Sequence, residues 1–134
     1  MILLVLLAAF AVGPPRAPAP HVAGVSVAPP PAWIDDGVRS AWLAFGSYCW
    51  QTQCVDFVPP SQRKLTAVLV RRGTRLTVHL RFRASSLTVR VGTRKVAAAS
   101  GSSAGWRASA GGIVNVDAHG PGGSASYVAR IQLS

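Results

Sequence analysis

Between Ser61 and Ser134 the apolar residues recur at every second position, the period of a pleated strand with one face in a core, rather than every 3.6 as on a helix. In Arg75–Arg83, Leu76, Val78, Leu80 and Phe82 fall on one side, with Thr77, His79, Arg81 and Arg83 on the other. In the following run Leu87, Val89 and Val91 alternate with Thr88 and Arg90. The two runs predict a hairpin that pairs Phe82 with Leu87, Leu80 with Val89 and Val78 with Val91. Its solvent side then joins Arg81 to Thr88 and His79 to Arg90.

Further strands are expected over Lys64–Arg71, Arg94–Ala99, Gly105–Ala110, Ile113–His119 and Ser126–Leu133. The first is apolar on both faces, which makes it either central or ambiguous in register. The last turns Tyr127, Ala129, Ile131 and Leu133 inward and Val128, Arg130 and Gln132 outward. Turns are expected at Arg72-Gly73-Thr74, Ser100–Ser103, Gly111-Gly112 and Gly120–Gly123. Upstream, Ala41–Trp50 and Cys54–Val58 read as two more strands, and His21–Ala28 as a weak edge strand. Seven to nine short strands without a helical pattern predict an all-β fold, a single antiparallel β-sandwich of immunoglobulin-like size, with a small barrel as the alternative.

The N-terminal third has another character. Ile2–Val12 is an apolar run too short to span a bilayer as a helix, and Ala9-Phe10-Ala11 has the small residues a signal peptidase reads. Residues 1–11 are therefore expected to be a signal peptide or an anchor. Residues 12–32 hold seven of the ten prolines and read as a stiff linker, leaving 33–134 as the folded domain. Cys49 and Cys54 have neither C-x-x-C spacing nor a second ligand pair, so a short disulfide is expected. Closing so small a ring stabilises by about 2 kcal/mol in the loop-entropy description. Such a bond persists outside the cytosol, which agrees with a secreted or membrane-tethered, extracytoplasmic protein.

Charge sharpens this picture. The chain has 134 residues, 14 Lys+Arg against 4 Asp+Glu and a net charge of +10. It contains no Glu, so catalysis by paired carboxylates has little to draw on. Residues 63–95 carry ten of the basic groups and no acid, and the rest of the chain is neutral. Arg71, Arg72, Arg75, Arg81, Arg83 and Arg90 are the anion-binding candidates, because guanidinium forks match phosphate. The implied partners are an anionic cell-envelope polymer or a membrane surface, with nucleic acid sharing the same chemistry. Trp33, Trp42 and Trp106 are candidates for stacking on sugar rings, the alternative reading.

The blocks Gly46-Ser47-Tyr48-Cys49-Trp50, Cys54-Val55-Asp56 and Gly123–Tyr127 resemble short secreted or membrane-tethered bacterial β-sandwich proteins of uncharacterised function, over about residues 33–134. That resemblance implies location and fold and carries no catalytic residues. Gly101–Gly105 satisfies G-x-S-x-G, with Ser103 followed by Asp117 and His119, the one pattern that hints at a Ser hydrolase. The motif needs a strand feeding a helix, whereas a strand is expected on its far side. No metal or cofactor set is apparent, since His21, His79 and His119 are scattered and Asp35-Asp36-Gly37 reads as a turn. The expectation is a non-enzymatic binding or structural module.

Overall fold

The structure is a computed structural model that describes residues 12–134. The expected signal or anchor, residues 1–11, lies outside the described residues. The fold is all-β, with strands β1 (Trp33–Asp35), β2 (Ser40–Trp42), β3 (Ala44–Phe45), β4 (Tyr48–Trp50), β5 (Gln53–Val55), β6 (Ala67–Val70), β7 (Arg75–Val91), β8 (Arg94–Arg107), β9 (Gly112–Gly120) and β10 (Gly123–Leu133). A 3-10 turn at Pro60–Gln62 precedes β6. Pairing is antiparallel except between β6 and β10.

The largest difference from expectation is that Arg75–Val91 is one strand of 17 residues, not a hairpin. Arg83-Ala84-Ser85-Ser86 contains no residue suited to left-handed backbone, so nothing there reverses the chain. The inward positions are even-numbered from Leu76 to Ala84 and odd-numbered from Leu87 to Val91. That change of parity marks irregular register on either side of Ala84, where β7 bends. The reversal falls instead at Gly92 (φ 60°) and returns through β8. The turn expected at Ser100–Ser103 is part of β8: Gly101, at φ 109°, stands opposite Ala84 and lets β8 follow the bend.

Because β7 bends, it serves two layers. Its first half pairs with β1, giving the order β2-β1-β7-β8. Its second half pairs with β9, and the sheet continues through β10, whose far edge takes β4, β3 and β6 in turn, with β5 outside β4. The inward residues of both halves form one core that includes Ile34, Leu43, Leu76, Val78, Val89, Val116 and Tyr127. With no helix among the described residues to cover these side chains, the sheet must cover itself. Trp106 from the first layer lines one small cleft with Val91 and Val96 from the second.

Other expectations shift for similar reasons. Lys64–Arg71 yields only β6, an edge strand parallel to β10, with Leu69 63% exposed. Val128 is buried although it lies on the outer side of β10, because Pro18, Pro20 and the Phe57–Arg63 segment approach that side. Ala41–Trp50 divides into β2, β3 and β4 as the chain crosses from one layer to the other at Leu43. His21–Ala28 makes a turn at Gly24, not a strand. Packing also begins before Trp33. Pro29 and Ala32 are buried, Tyr127 donates its hydroxyl to the Pro30 carbonyl at 2.6 Å, and the Trp42 indole N–H donates to Ala17 at 2.8 Å.

Candidate functional site

The pairing of β7 with β8 sets Arg75 opposite Arg107. Gly73, at φ 87°, closes the β6–β7 connection beside them, and this turn carries Arg71 and Arg72. Backbone bonds from Gly73 to Ala108 and from Ala108 to Thr74 fasten the turn to the end of β8, and Arg107 Nη1 donates to the Gly73 carbonyl at 3.2 Å. The Arg75 guanidinium lies across Gly105, where a Cβ would come within 3.1 Å of Nη2. All four arginines are exposed. Among the described residues the ion pairs are His79–Asp35 and Arg90–Asp117, so no carboxylate is ion-paired to this cluster. Arg107 was absent from the sequence candidates because its position is set by pairing with a residue 32 places earlier. An open cleft of about 480 Å³ beside the cluster is lined by Arg39, Arg71 and Thr74, and by Asp36, whose carboxylate accepts from the Val38 and Arg39 N–H groups.

The remaining candidates do not join this patch. Arg81 lies over the rings of Trp42 and Trp33, at 5.5 and 5.9 Å. Arg90 is in the other half of β7, 3.7 Å from Asp117 and opposite Lys95 and Asn115. Arg90 is nine positions along the strand from Arg81, roughly 30 Å of chain. A single basic face holding Arg81, Arg83 and Arg90 is therefore replaced by separate groups on two layers. The expected neighbours change accordingly. His79 pairs with Ser103 and Trp33, and Thr88 pairs with Ala98 and Asp117.

A second group occupies the outer face of the first layer, where cross-strand pairing sets Trp42, Trp33, His79 and Ser103 in one row. Trp33 meets Trp42 edge-on at 6.1 Å and stacks on His79 at 4.8 Å. Both tryptophans are half-buried. The Trp33 indole nitrogen is buried without a hydrogen-bond partner. Trp106 points the other way, 7% exposed, and so leaves the set of stacking candidates.

The Ser103, Asp117 and His119 pattern is not assembled. Ser103 is in β8 and faces out of the first layer. Asp117 and His119 are on β9 beside Ser126 and Ser124. The residue next to Ser103 is His79, and His79 is hydrogen-bonded to Asp35. No hydrogen bond joins Ser103 to the imidazole among the described residues, and the motif sits within a strand, without the strand-to-helix turn that strains a nucleophile elbow. The Asp35–His79 contact ties β1 to β7. Among the described residues no three His, Cys, Asp or Glu side chains gather as for a metal. Asp35-Asp36-Gly37 is a turn, closed by Gly37 N–H to Asp35 and Arg39 N–H to Asp36.

Cys49 and Cys54 form a disulfide between directly paired residues of β4 and β5. A disulfide is compatible with an extracytoplasmic location. No helix among the described residues is long and apolar enough to cross a membrane. Compared with known proteins, the chain matches no family model, no curated protein and no solved structure.

Proposed function

We propose that this protein is a non-enzymatic extracytoplasmic binding module that holds an anionic envelope polymer or surface through Arg71, Arg72, Arg75 and Arg107. The carrying observation is the direct opposition of Arg75 and Arg107 with no acid beside them. Like charges facing one another across a strand pair cost stability, and an anion bridging them converts that cost into binding free energy. Guanidinium groups are weakly hydrated and present paired donors, which suits phosphate or sulfate esters. Trp33 and Trp42, the residues of the carbohydrate reading, are partly covered by Arg81, and Trp42 is also engaged by the Ala17 carbonyl.

Retention on immobilised heparin and on teichoic acid tests this reading. Retention is expected to weaken steeply with salt, and Arg75→Gln with Arg107→Gln should reduce it at least tenfold at 0.15 M salt, about 1.4 kcal/mol. Arg81→Gln with Arg90→Gln should change it less. Retention that is indifferent to salt, or lost only with Trp42→Ala, overturns the proposal in favour of sugar stacking.

A further inference from the structure

We infer that the outer edge of β8 between Ser103 and Arg107 is a docking edge for an extended polypeptide segment of a partner protein, added as a further strand and tipped by a carboxylate that meets Arg107 and Arg75. Of the four longest strands, β7, β9 and β10 are paired on both sides, whereas β8 pairs only with β7 among the described residues. The other strands with a free edge are short: β2 and β5 have three residues each, β3 two and β6 four. Along Ser103–Arg107 five successive pairs, from His79↔Ser103 to Arg75↔Arg107, run without a shift of register. The irregularities of β8 lie beyond this stretch.

Sheet edges are ordinarily guarded by proline, by inward charge, by a bulge or by shortness. Ser103–Arg107 has none of these, and its one edge charge, Arg107, stands at the end of the stretch. Ala104 and Trp106 are buried in the core, and on the outer face Ser103 is small and Gly105 has no side chain of its own, the Arg75 guanidinium lying across it. An arriving strand could come close to the backbone and satisfy its unpaired N–H and C=O groups, the mode by which extended peptides extend a sheet.

Charge decides the occupant. The edge ends at Arg107, with Arg75 beside it on the next strand. This chain has four Asp and no Glu. Asp35 is engaged by His79, Asp36 by its own turn and Asp117 by Arg90, and the exposed Asp56 follows β5, at the end of the strand order away from β8. A second copy docked along the edge would bring another Arg75–Arg107 pair and no acid on its β8. An acidic-tipped segment from a different protein supplies both backbone partners and countercharge. The inference shares two arginines with the proposed polymer site but requires a backbone edge as well, so the two can fail separately.

The test uses the full chain, isotope-labelled, with the synthetic peptide Asp-Asp-Val-Thr-Val-Thr-Val and its reverse sequence. At saturation one of them should slow hydrogen exchange of the edge-facing amides of Ser103–Arg107 at least tenfold. The same peptide N-methylated at alternate residues keeps its charge but cannot pair, and should give no protection. A Lys-tipped version should bind at least tenfold more weakly. Equal protection by the methylated peptide overturns the inference and leaves a charge-only site. Protection that appears without peptide and grows with protein concentration overturns it in favour of a second copy, and absence of protection with either peptide overturns it outright. Protection by peptide in a protein that retains no polymer would uphold the edge and sink the polymer reading.

Discussion

Replacing Tyr127 by Phe tests how the proline-rich segment is joined to the sandwich. The ring is fully buried, and its hydroxyl donates to the Pro30 carbonyl at 2.6 Å. Phe keeps the packing and deletes the hydrogen bond, a net loss of about 1 kcal/mol that rises to roughly 3 if the carbonyl finds no other donor. For a domain of this size each kcal/mol lowers the midpoint by about 3–5 °C. Burial also pushes the phenol of Tyr127 well above its ordinary value. The folded state therefore holds that proton more tightly than the unfolded chain. The stabilisation is complete below about pH 10, the ordinary phenol value, and declines above it by about 1.4 kcal/mol per pH unit until the folded phenol itself ionises. Tyr48 is shifted the same way, but it is present in both proteins and cancels. Urea unfolding of wild type and Tyr127→Phe at pH 8 and pH 11 should show the variant less stable at pH 8 and the gap smaller by about 1.4 kcal/mol at pH 11. A gap that stays constant between the two would refute the link between burial and proton retention.

Changing Cys49 and Cys54 together to Ala should cost about 2 kcal/mol in urea unfolding, with the all-β circular dichroism spectrum retained. Gly122→Ala should cost more than Gly73→Ala, because a Cβ on Gly122 meets the Trp50 ring whereas Gly73 faces open space and loses only its left-handed backbone, worth about 1 kcal/mol. Thermal melts would rank them. Trp42→Phe removes the indole N–H that Ala17 accepts, so limited proteolysis between residues 13 and 20 should speed up while the core's midpoint falls by only the few degrees that a bond of about 1 kcal/mol implies.

Much of the fold was legible in the alternation of residues. The period of two along Leu76–Leu80, Leu87–Val91 and Tyr127–Ile131 specified strands and their inward faces, because each side chain's face depends only on its own backbone. The Cys49–Cys54 bond was equally local, since residues five apart met across a tight turn. Strand ends and partners were another matter. The two apolar runs on either side of Ser85–Ser86 fit a reversal, yet a bend in one strand fits them equally, and the choice depends on whether β8 and β9 can pair with a continuous β7. The basic hairpin face dissolved for the same reason, as a bent strand carries its two ends out of different layers. Sequence alone established an Arg-rich, acid-poor all-β chain. Only the tertiary structure put Arg107 against Arg75, left one edge of β8 open and laid the proline-rich segment on Trp42, because each of these is a contact between residues distant in the chain, fixed by register and packing.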